Sequence, residues 1–143
     1  MSALLMTIGE LSRRTGVSIK VLRRFEGMGL IYTAGRSAAN YRLFDESALW
    51  CVQVIVGLRS LGLTVREIGD LAGVYLGQPD RPIGPHLAER LQAVRARIDA
   101  RMAELERLRR SIDEFEALHR AALAGAAGSD FRAADPRHRA PVA

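Results

Sequence analysis

Apolar residues recur every three or four positions in several separate stretches of this chain, which is the period of helices with one buried face. The first stretch is interrupted at Thr15-Gly16 and resumes after Ser18, so it predicts two short helices joined by a tight turn. Thr7 is placed to cap the first helix and Ser18 the second. The pattern therefore indicates a helix-turn-helix between Thr7 and Gly29.

The second predicted helix separates an apolar stripe from basic faces. The spacing of a buried stripe is followed by Ile19, Leu22 and Phe25. The basic residues of the helix, Lys20, Arg23 and Arg24, fall on its other faces. A cluster of cations on one short helix favours phosphate contacts. The alternative is an ordinary solvated basic face.

A polar run from Thr33 to Asn40 and the segment Tyr41-Arg42-Leu43-Phe44 come next. Two short extended pieces around a loop, directly after a helix-turn-helix, predict a β-wing that lies against a nucleic-acid backbone. The predicted DNA-contacting residues of the helix-turn-helix and wing are Arg13, Arg14, Thr15, Ser18, Lys20, Arg23, Arg24, Arg36, Tyr41 and Arg42.

Two further helices are predicted by their caps and their period. Asp45 begins a third helix that runs to Leu61, and Thr64 with Glu67 forms a capping box at the start of a short fourth helix. These elements complete a predicted DNA-binding domain over residues 1–73. A connector rich in Gly and Pro follows over residues 74–85.

One long helix is predicted over residues 86–123, because a heptad-like apolar seam continues for about four heptads. The seam indicates dimerisation through a coiled coil; the alternative is a helix that folds back over the third and fourth helices. The composition of residues 124–143 predicts a disordered tail. The predicted dimerisation residues are Leu91, Val94, Ile98, Met102, Leu105, Leu108, Ile112 and Phe115.

The positive charge is concentrated in the first part of the chain. Residues 1–66 hold nine Lys and Arg against four Asp and Glu, whereas residues 67–143 hold twelve of each, so the net charge of +5 arises before residue 67. This distribution indicates a polyanionic partner for the amino-terminal part. The sequence has no apolar run of membrane-spanning length, and the MSALLM start lacks the layout of a signal peptide, so a cytoplasmic location is predicted.

Candidate chemistry is sparse in this sequence. No pairing of carboxylates, nucleophile and base, or glycine-rich phosphate loop indicates an enzyme. The single cysteine, Cys51, is expected to act as a small apolar residue of the third helix. The histidines lack the spacing of metal ligands, so we predict neither a metal nor a cofactor.

The run IGELSRRTGVSIKVLRRFEGMGLI, followed by NYRLF and LRSLGLTVREI, resembles the MerR family of bacterial transcription regulators. The resemblance is close over roughly the first half of the chain. The sequence departs from the family pattern at Arg24 and Phe25, where the family commonly has two tyrosines, and at Asn40, where it commonly has glycine. These departures bear on individual DNA contacts and not on the resemblance to the family.

The resemblance implies an all-α fold with a small β-wing: a winged helix-turn-helix DNA-binding domain followed by a long antiparallel dimerisation coiled-coil helix. It also implies that the third and fourth helices form a second wing, in which Arg59 and Arg66 touch the DNA backbone. The implied partners are double-stranded promoter DNA, a second copy of the chain and bacterial RNA polymerase. Family members that sense metals carry cysteines near the ends of the long helix, and this chain has none there.

The function implied by the resemblance is a dimeric, sequence-specific transcriptional regulator. It binds inverted-repeat promoter operators and activates by distorting an over-long promoter spacer. The alternative is an architectural or recombination-accessory winged-helix protein, which bends DNA without addressing a promoter. A small-molecule effector, if one exists, is expected between the connector and the partner's helix, near Tyr75, Leu76 and Phe115.

Overall fold

The computed structural model describes residues 4–138. Positions 1–3 and 139–143, which include the beginning of the MSALLM start and the end of the predicted tail, lie outside the described residues. The chain forms two compact units, Met1–Arg95 and Ala96–Ala143.

The helix-turn-helix consists of α1 (Ile8–Thr15) and α2 (Ile19–Gly27). The side chains of Thr7 and Ser18 each accept a hydrogen bond from the backbone N–H three residues later, at 3.3 Å in both cases, so both predicted N-caps are confirmed. Gly16 has φ 73°, the left-handed conformation that ends α1 and turns the chain toward α2.

A three-stranded antiparallel sheet contains β1 (Met6–Thr7), β2 (Gly35–Arg36) and β3 (Arg42–Phe44) in the order β1-β3-β2. β2 and β3 form the predicted wing. Asn40, in the loop between them, has φ 66°. Asparagine is one of the few residues that adopt this conformation readily, which explains how it replaces glycine here. β1 was not predicted, because two residues are too few to show a period.

The pair α3 (Glu46–Ser60) and α4 (Val65–Gly77) begins at the predicted caps. Asp45 accepts from a backbone N–H of α3, and Thr64 and Glu67 form a complete capping box at α4. α4 extends four residues past the boundary expected at 73. Glycines weaken a helix by about 1 kcal/mol each without excluding it, so they were a poor guide to where this helix ends.

The core of the Met1–Arg95 unit is built from apolar side chains of α1 to α4, the sheet, the intervening loops and the beginning of the next helix. Leu22 and Phe25 point into this core, but Ile19 is 37% exposed, so the apolar stripe of α2 is narrower than expected. The buried residues are Met6, Leu11, Leu22, Phe25, Leu30, Ile31, Phe44, Ala48, Val52, Ile55, Leu63, Val65, Ile68, Leu71 and Val94.

The long helix α5 spans Gly84–Leu118 and is followed by the short helix α6 (Arg120–Leu123), where one helix over 86–123 was expected. Pro85 lies in the first turn of α5. Proline is tolerated there because the first N–H groups of a helix have no intrahelical acceptor. His119 interrupts the helix with φ −119° and ψ 24°.

The predicted seam of α5 divides into two parts with different surroundings. Val94 is 3% exposed and Leu91 is partly buried, and both pack against the core of the Met1–Arg95 unit. The remaining members are 49–60% exposed, and we call them the exposed row: Ile98, Met102, Leu105, Leu108, Ile112 and Phe115. Heptad spacing does not distinguish a side chain that covers its own core from one that faces a partner.

The Ala96–Ala143 unit holds two 3₁₀ turns, Phe131–Ala134 and Pro136–His138, within the segment expected to be disordered. The ring of Phe131 stacks on that of Phe115 with centroids 6.0 Å apart, and the His119 ring lies 5.2 Å from Phe131. These ring contacts place Phe131 beside two aromatic residues near the end of α5.

Candidate nucleic-acid interface

The recognition helix α2 presents its basic side chains away from the core. Lys20, Arg23 and Arg24 are exposed, whereas Leu22 and Phe25 on the opposite side are buried. Helical geometry produces this division, since Arg23 and Arg24 lie three and four positions after Lys20 and therefore share its face, while Phe25 lies three positions after Leu22. The basic surface of α2 is therefore free to approach a polyanion.

Two polar residues predicted to contact DNA also hold the turn before α2. The Thr15 hydroxyl donates to the Leu11 carbonyl oxygen at 2.8 Å and accepts from the Val17 N–H at 3.2 Å. The Ser18 hydroxyl accepts from the Val21 N–H at the start of α2. Both side chains thus fix the angle between α1 and α2, a structural role that accompanies the expected DNA contact.

The wing is stiffened by contacts within its own loop. The Arg36 guanidinium donates through Nη1 to the Asn40 carbonyl oxygen at 3.1 Å. The Tyr41 N–H donates to the Ser37 hydroxyl at 3.1 Å, and Tyr41 itself has an exposed ring. Together with the β2–β3 pairing, these bonds hold Arg36 and Arg42 across from one another in register.

An ion pair joins the wing to the recognition helix. Arg42 donates through Nη1 to Oε1 of Glu26 at 2.6 Å. The second oxygen of this carboxylate, Oε2, is buried and has no hydrogen-bond partner among the described residues. The sequence did not reveal the pair, because Glu26 and Arg42 lie 16 positions apart on different elements.

A shallow cleft of about 360 Å³ lies between α2 and the wing. Among the described residues, its lining includes three arginines and no acidic side chain. Its polar lining therefore suits an anionic group such as a phosphate. The cleft is lined by Thr7, Ile8, Arg23, Arg36, Asn40, Tyr41 and Arg42.

The cleft includes four of the predicted DNA-contacting residues, namely Arg23, Arg36, Tyr41 and Arg42. The remaining basic residues are exposed outside its lining. They are Arg13, Arg14, Lys20, Arg24, Arg59 and Arg66. Thr7, Ile8 and Asn40 complete the cleft and were not predicted. They are uncharged, so a search for cations does not find them.

Outside this interface, other functions would require a reactive thiol, a metal site or a membrane-spanning helix. Burial, followed by the nearby charge of Asp45, raises the pKa of the Cys51 thiol, so the group is neutral near pH 7. Between residues 4 and 138, no group of three or more His, Cys, Asp and Glu side chains is placed to hold a metal ion. Over the same range, no helix combines the length and apolar character that crossing a membrane requires.

The helix-turn-helix, its wing and the arginine-lined cleft define a winged helix-turn-helix protein of the DNA-binding class. Two family models match the chain: MerR HTH family regulatory protein over residues 6–73 and MerR, DNA binding over residues 49–115. The chain belongs to the MerR family. Members of this family are DNA-binding regulators and not enzymes.

Individual relatives agree with this assignment. The chain is 32% identical over 108 residues to the HTH-type transcriptional activator SoxR homolog of Chromobacterium violaceum, a match covering 76% of this chain and 72% of that protein. It is 37% identical over 70 residues to the HTH-type transcriptional regulator HmrR of Sinorhizobium medicae, covering 49% of this chain and 48% of that protein. The chain spans about half the length of several curated relatives that it matches.

A solved structure extends the similarity to the fold. The transcription regulator PbrR691 from Ralstonia metallidurans CH34, in complex with lead(II), aligns with a TM-score of 0.67 and 28% sequence identity. The alignment covers 78% of this chain and 85% of that one. The similarity thus reaches well beyond the helix-turn-helix.

Proposed function

We propose that this chain is a dimeric, sequence-specific transcriptional regulator that binds inverted-repeat promoter operators in the cytoplasm. The observation that carries the proposal is the arginine-lined cleft between α2 and the wing. A recognition helix reads base edges in the major groove, and a wing beside it contacts phosphates. One arginine of α2 and two of the wing line this cleft, which supports a role in both kinds of contact.

The predicted DNA-contacting residues have separate places in this proposal. Arg23 and Lys20 lie on the exposed side of α2, from which base edges are read, and Arg24 contacts backbone beside them. Arg36, Tyr41 and Arg42 of the wing contact phosphates, and Arg13 and Arg14 add charge at the end of α1. Arg59, in the last turn of α3, and Arg66, in the first turn of α4, extend the backbone contacts as part of a second wing. Thr15 and Ser18 contact backbone from the turn.

Dimerisation is carried by the exposed row of α5. Six apolar side chains, each about half exposed or more, follow one another along the helix, and the last of them, Phe115, also contacts the rings of His119 and Phe131. A second copy packed antiparallel buries this row on both helices. A two-fold dimer presents two recognition helices to two half-sites, so the operator is an inverted repeat.

Activation follows from the rigid spacing of the two recognition helices. RNA polymerase contacts two promoter elements at once, and an over-long spacer places them out of alignment. Binding that bends and untwists the spacer restores the alignment, at a deformation cost of about 1–6 kcal/mol that protein–DNA contacts must offset. In this proposal the DNA-binding domain is 1–73, the connector is 74–85, the dimerisation helix is 86–123 and the tail is 124–143.

Selection of bound genomic fragments, followed by footprinting, tests this proposal. We expect protection of an inverted repeat within promoter spacers. Protection without two-fold symmetry, or away from promoters, would indicate an architectural or recombination-accessory protein instead. Shortening the spacer by one or two base pairs should raise basal transcription and make the protein unnecessary or repressive. Straight DNA in the complex, with output independent of spacer length, would indicate an occluding repressor.

A further inference from the structure

Asn40 lies exposed in the loop between β2 and β3 with φ 66°, and among the described residues it is the only non-glycine residue with a positive φ. Two hydrogen bonds of its backbone hold it there. Its N–H donates to the Ser37 carbonyl oxygen at 2.8 Å, and its carbonyl oxygen accepts from Nη1 of Arg36 at 3.1 Å. The loop therefore fixes the direction in which the Asn40 side chain leaves the backbone.

The side chain of Asn40 is not required by its backbone conformation. Glycine adopts the left-handed conformation without the steric cost that a Cβ brings, and asparagine is one of the residues for which that cost is smallest. No hydrogen bond to another part of the described chain uses the side-chain amide of Asn40, so the wing itself does not employ it. This amide is therefore available to a group outside the chain.

The surroundings of Asn40 indicate what that group is. Asn40 lines the arginine-lined cleft together with Arg23, Arg36 and Arg42. A guanidinium carries a positive charge and donates hydrogen bonds without accepting any, so three of them around one cleft favour an anion with several acceptor oxygens. The side-chain nitrogen of asparagine supplies two further N–H donors at the same place and brings no charge. A phosphate of the DNA backbone matches this set of donors.

We propose that Asn40 is a DNA-contacting residue whose side-chain amide donates a hydrogen bond to a phosphate oxygen at the cleft. The contact rests on the proposed DNA-binding function and adds an uncharged donor to its basic residues. The bond from Arg36 to the Asn40 carbonyl oxygen joins the two kinds of donor, because it keeps the guanidinium beside the residue that carries the amide. One phosphate can then accept from a charged and a neutral group together.

Asn40→Gly removes the amide and keeps a residue that adopts this conformation readily. Its affinity is measured by fluorescence anisotropy on two duplexes of equal length, one recovered by the genomic selection and one of random sequence. We expect both to bind at least about fivefold more weakly, because a hydrogen bond to a charged group is lost. The slope of log affinity against log salt concentration should stay unchanged, because a neutral donor releases no counterion. Wild-type affinity for both duplexes would overturn the proposal.

Asn40→Asp separates the lost donor from a looser loop. Aspartate has the shape of asparagine and also tolerates a positive φ, but it replaces the N–H donors with an acceptor. The control is Ala39→Asp, which adds the same charge at an exposed neighbouring position outside the lining of the cleft. Asn40→Asp should bind both duplexes at least about fivefold more weakly than Ala39→Asp does. Equal affinities of these two variants would attribute any loss in Asn40→Gly to the freedom of glycine and would overturn the proposal.

Three other outcomes also decide the matter. Lost discrimination at a single base pair in Asn40→Gly would show that the amide reads a base edge, and a slope reduced by about one unit would show that the substitution displaces Arg36. Either result overturns the phosphate contact. A wild type that binds neither duplex would overturn the proposed function itself, whereas normal binding by the wild type and unaffected variants would overturn the Asn40 contact alone. Circular dichroism melting curves confirm that the variants fold.

Discussion

Replacing Arg42 with Ala removes a proposed phosphate contact and also removes the partner of the Glu26 carboxylate. The side chain of Glu26 is 19% exposed and that of Arg42 is 51% exposed. The pair thus lies between an exposed ion pair, worth up to about 1 kcal/mol, and a buried one, whose disruption costs about 3–5 kcal/mol. Since Arg42 is half in solvent, we expect Arg42→Ala to lower the free energy of unfolding by about 1–2 kcal/mol.

Adding Glu26→Gln to Arg42→Ala tests the cause of that loss. The amide carries no charge, so it removes the unpaired carboxylate that the single substitution leaves beside α2. The double variant should recover about 1 kcal/mol of unfolding free energy, measured by urea denaturation with circular dichroism. If the double variant is no more stable than Arg42→Ala, the unpaired carboxylate is not the source of the instability.

The same variants separate stability from DNA contact. Each neutralised phosphate contributes about 0.9 to the slope of log affinity against log salt concentration. Both variants that lack Arg42 should therefore show a slope reduced by about one unit, with all DNA sequences weakened about equally. Glu26→Gln alone should keep the wild-type slope. An unchanged slope in Arg42→Ala would remove Arg42 from the backbone contacts, and lost discrimination at a single base pair would show that the wing reads sequence.

Three further substitutions test separate parts of the molecule. Arg23→Ala should weaken operator binding by about 1–3 kcal/mol in a fluorescence anisotropy titration, and an unchanged affinity at moderate salt would exclude it from the interface. In analytical ultracentrifugation, Leu105→Asp should convert the proposed dimer to a monomer, whereas the control Arg107→Asp, on the opposite side of α5, should leave it dimeric. A monomeric wild type would refute the two-fold model. Gly62→Ala should lower the free energy of unfolding by about 1–3 kcal/mol, because φ is 95° at this position and a Cβ would lie 3.1 Å from a methyl group of the core. The control, Gly57→Ala in the open part of α3, should raise it by about 0.5–1 kcal/mol. Equal shifts of the melting temperature in the two variants would refute this reasoning.

Features of the fold that depend on neighbouring residues could be predicted from the sequence. The turn at Gly16, the cap at Ser18 and the capping box formed by Thr64 and Glu67 each involve atoms within three or four positions of one another. Such contacts form wherever the local sequence supplies the side-chain oxygen and the backbone N–H. The same reasoning located the wing, since its two strands are joined by a short polar loop.

Features that depend on distant residues could not be predicted in the same way. The Glu26–Arg42 pair forms only once the wing folds back onto α2. The arginines and Tyr41 of the cleft were predicted as DNA-contacting residues, but the cleft itself was not. Thr7 and Ile8 line it where β1 pairs with β3. Tertiary pairing, and not local propensity, decides these positions.

The division of the α5 seam changes what the proposed dimer must look like. Val94 already covers the core of its own chain, so we expect the proposed contact with a partner to run from Ile98 to Phe115. In a two-fold antiparallel pair, residues equally far from the midpoint of the row face each other, and that midpoint lies between Leu105 and Leu108. A two-fold axis placed at this midpoint would bring Leu105 opposite Leu108, and Ile98 opposite Phe115, of the second copy in the proposed dimer. Because each chain contributes its own residue 105, one substitution at this position places two charges in the proposed interface, one on each side of the two-fold axis. We therefore expect that single substitution to separate the dimer.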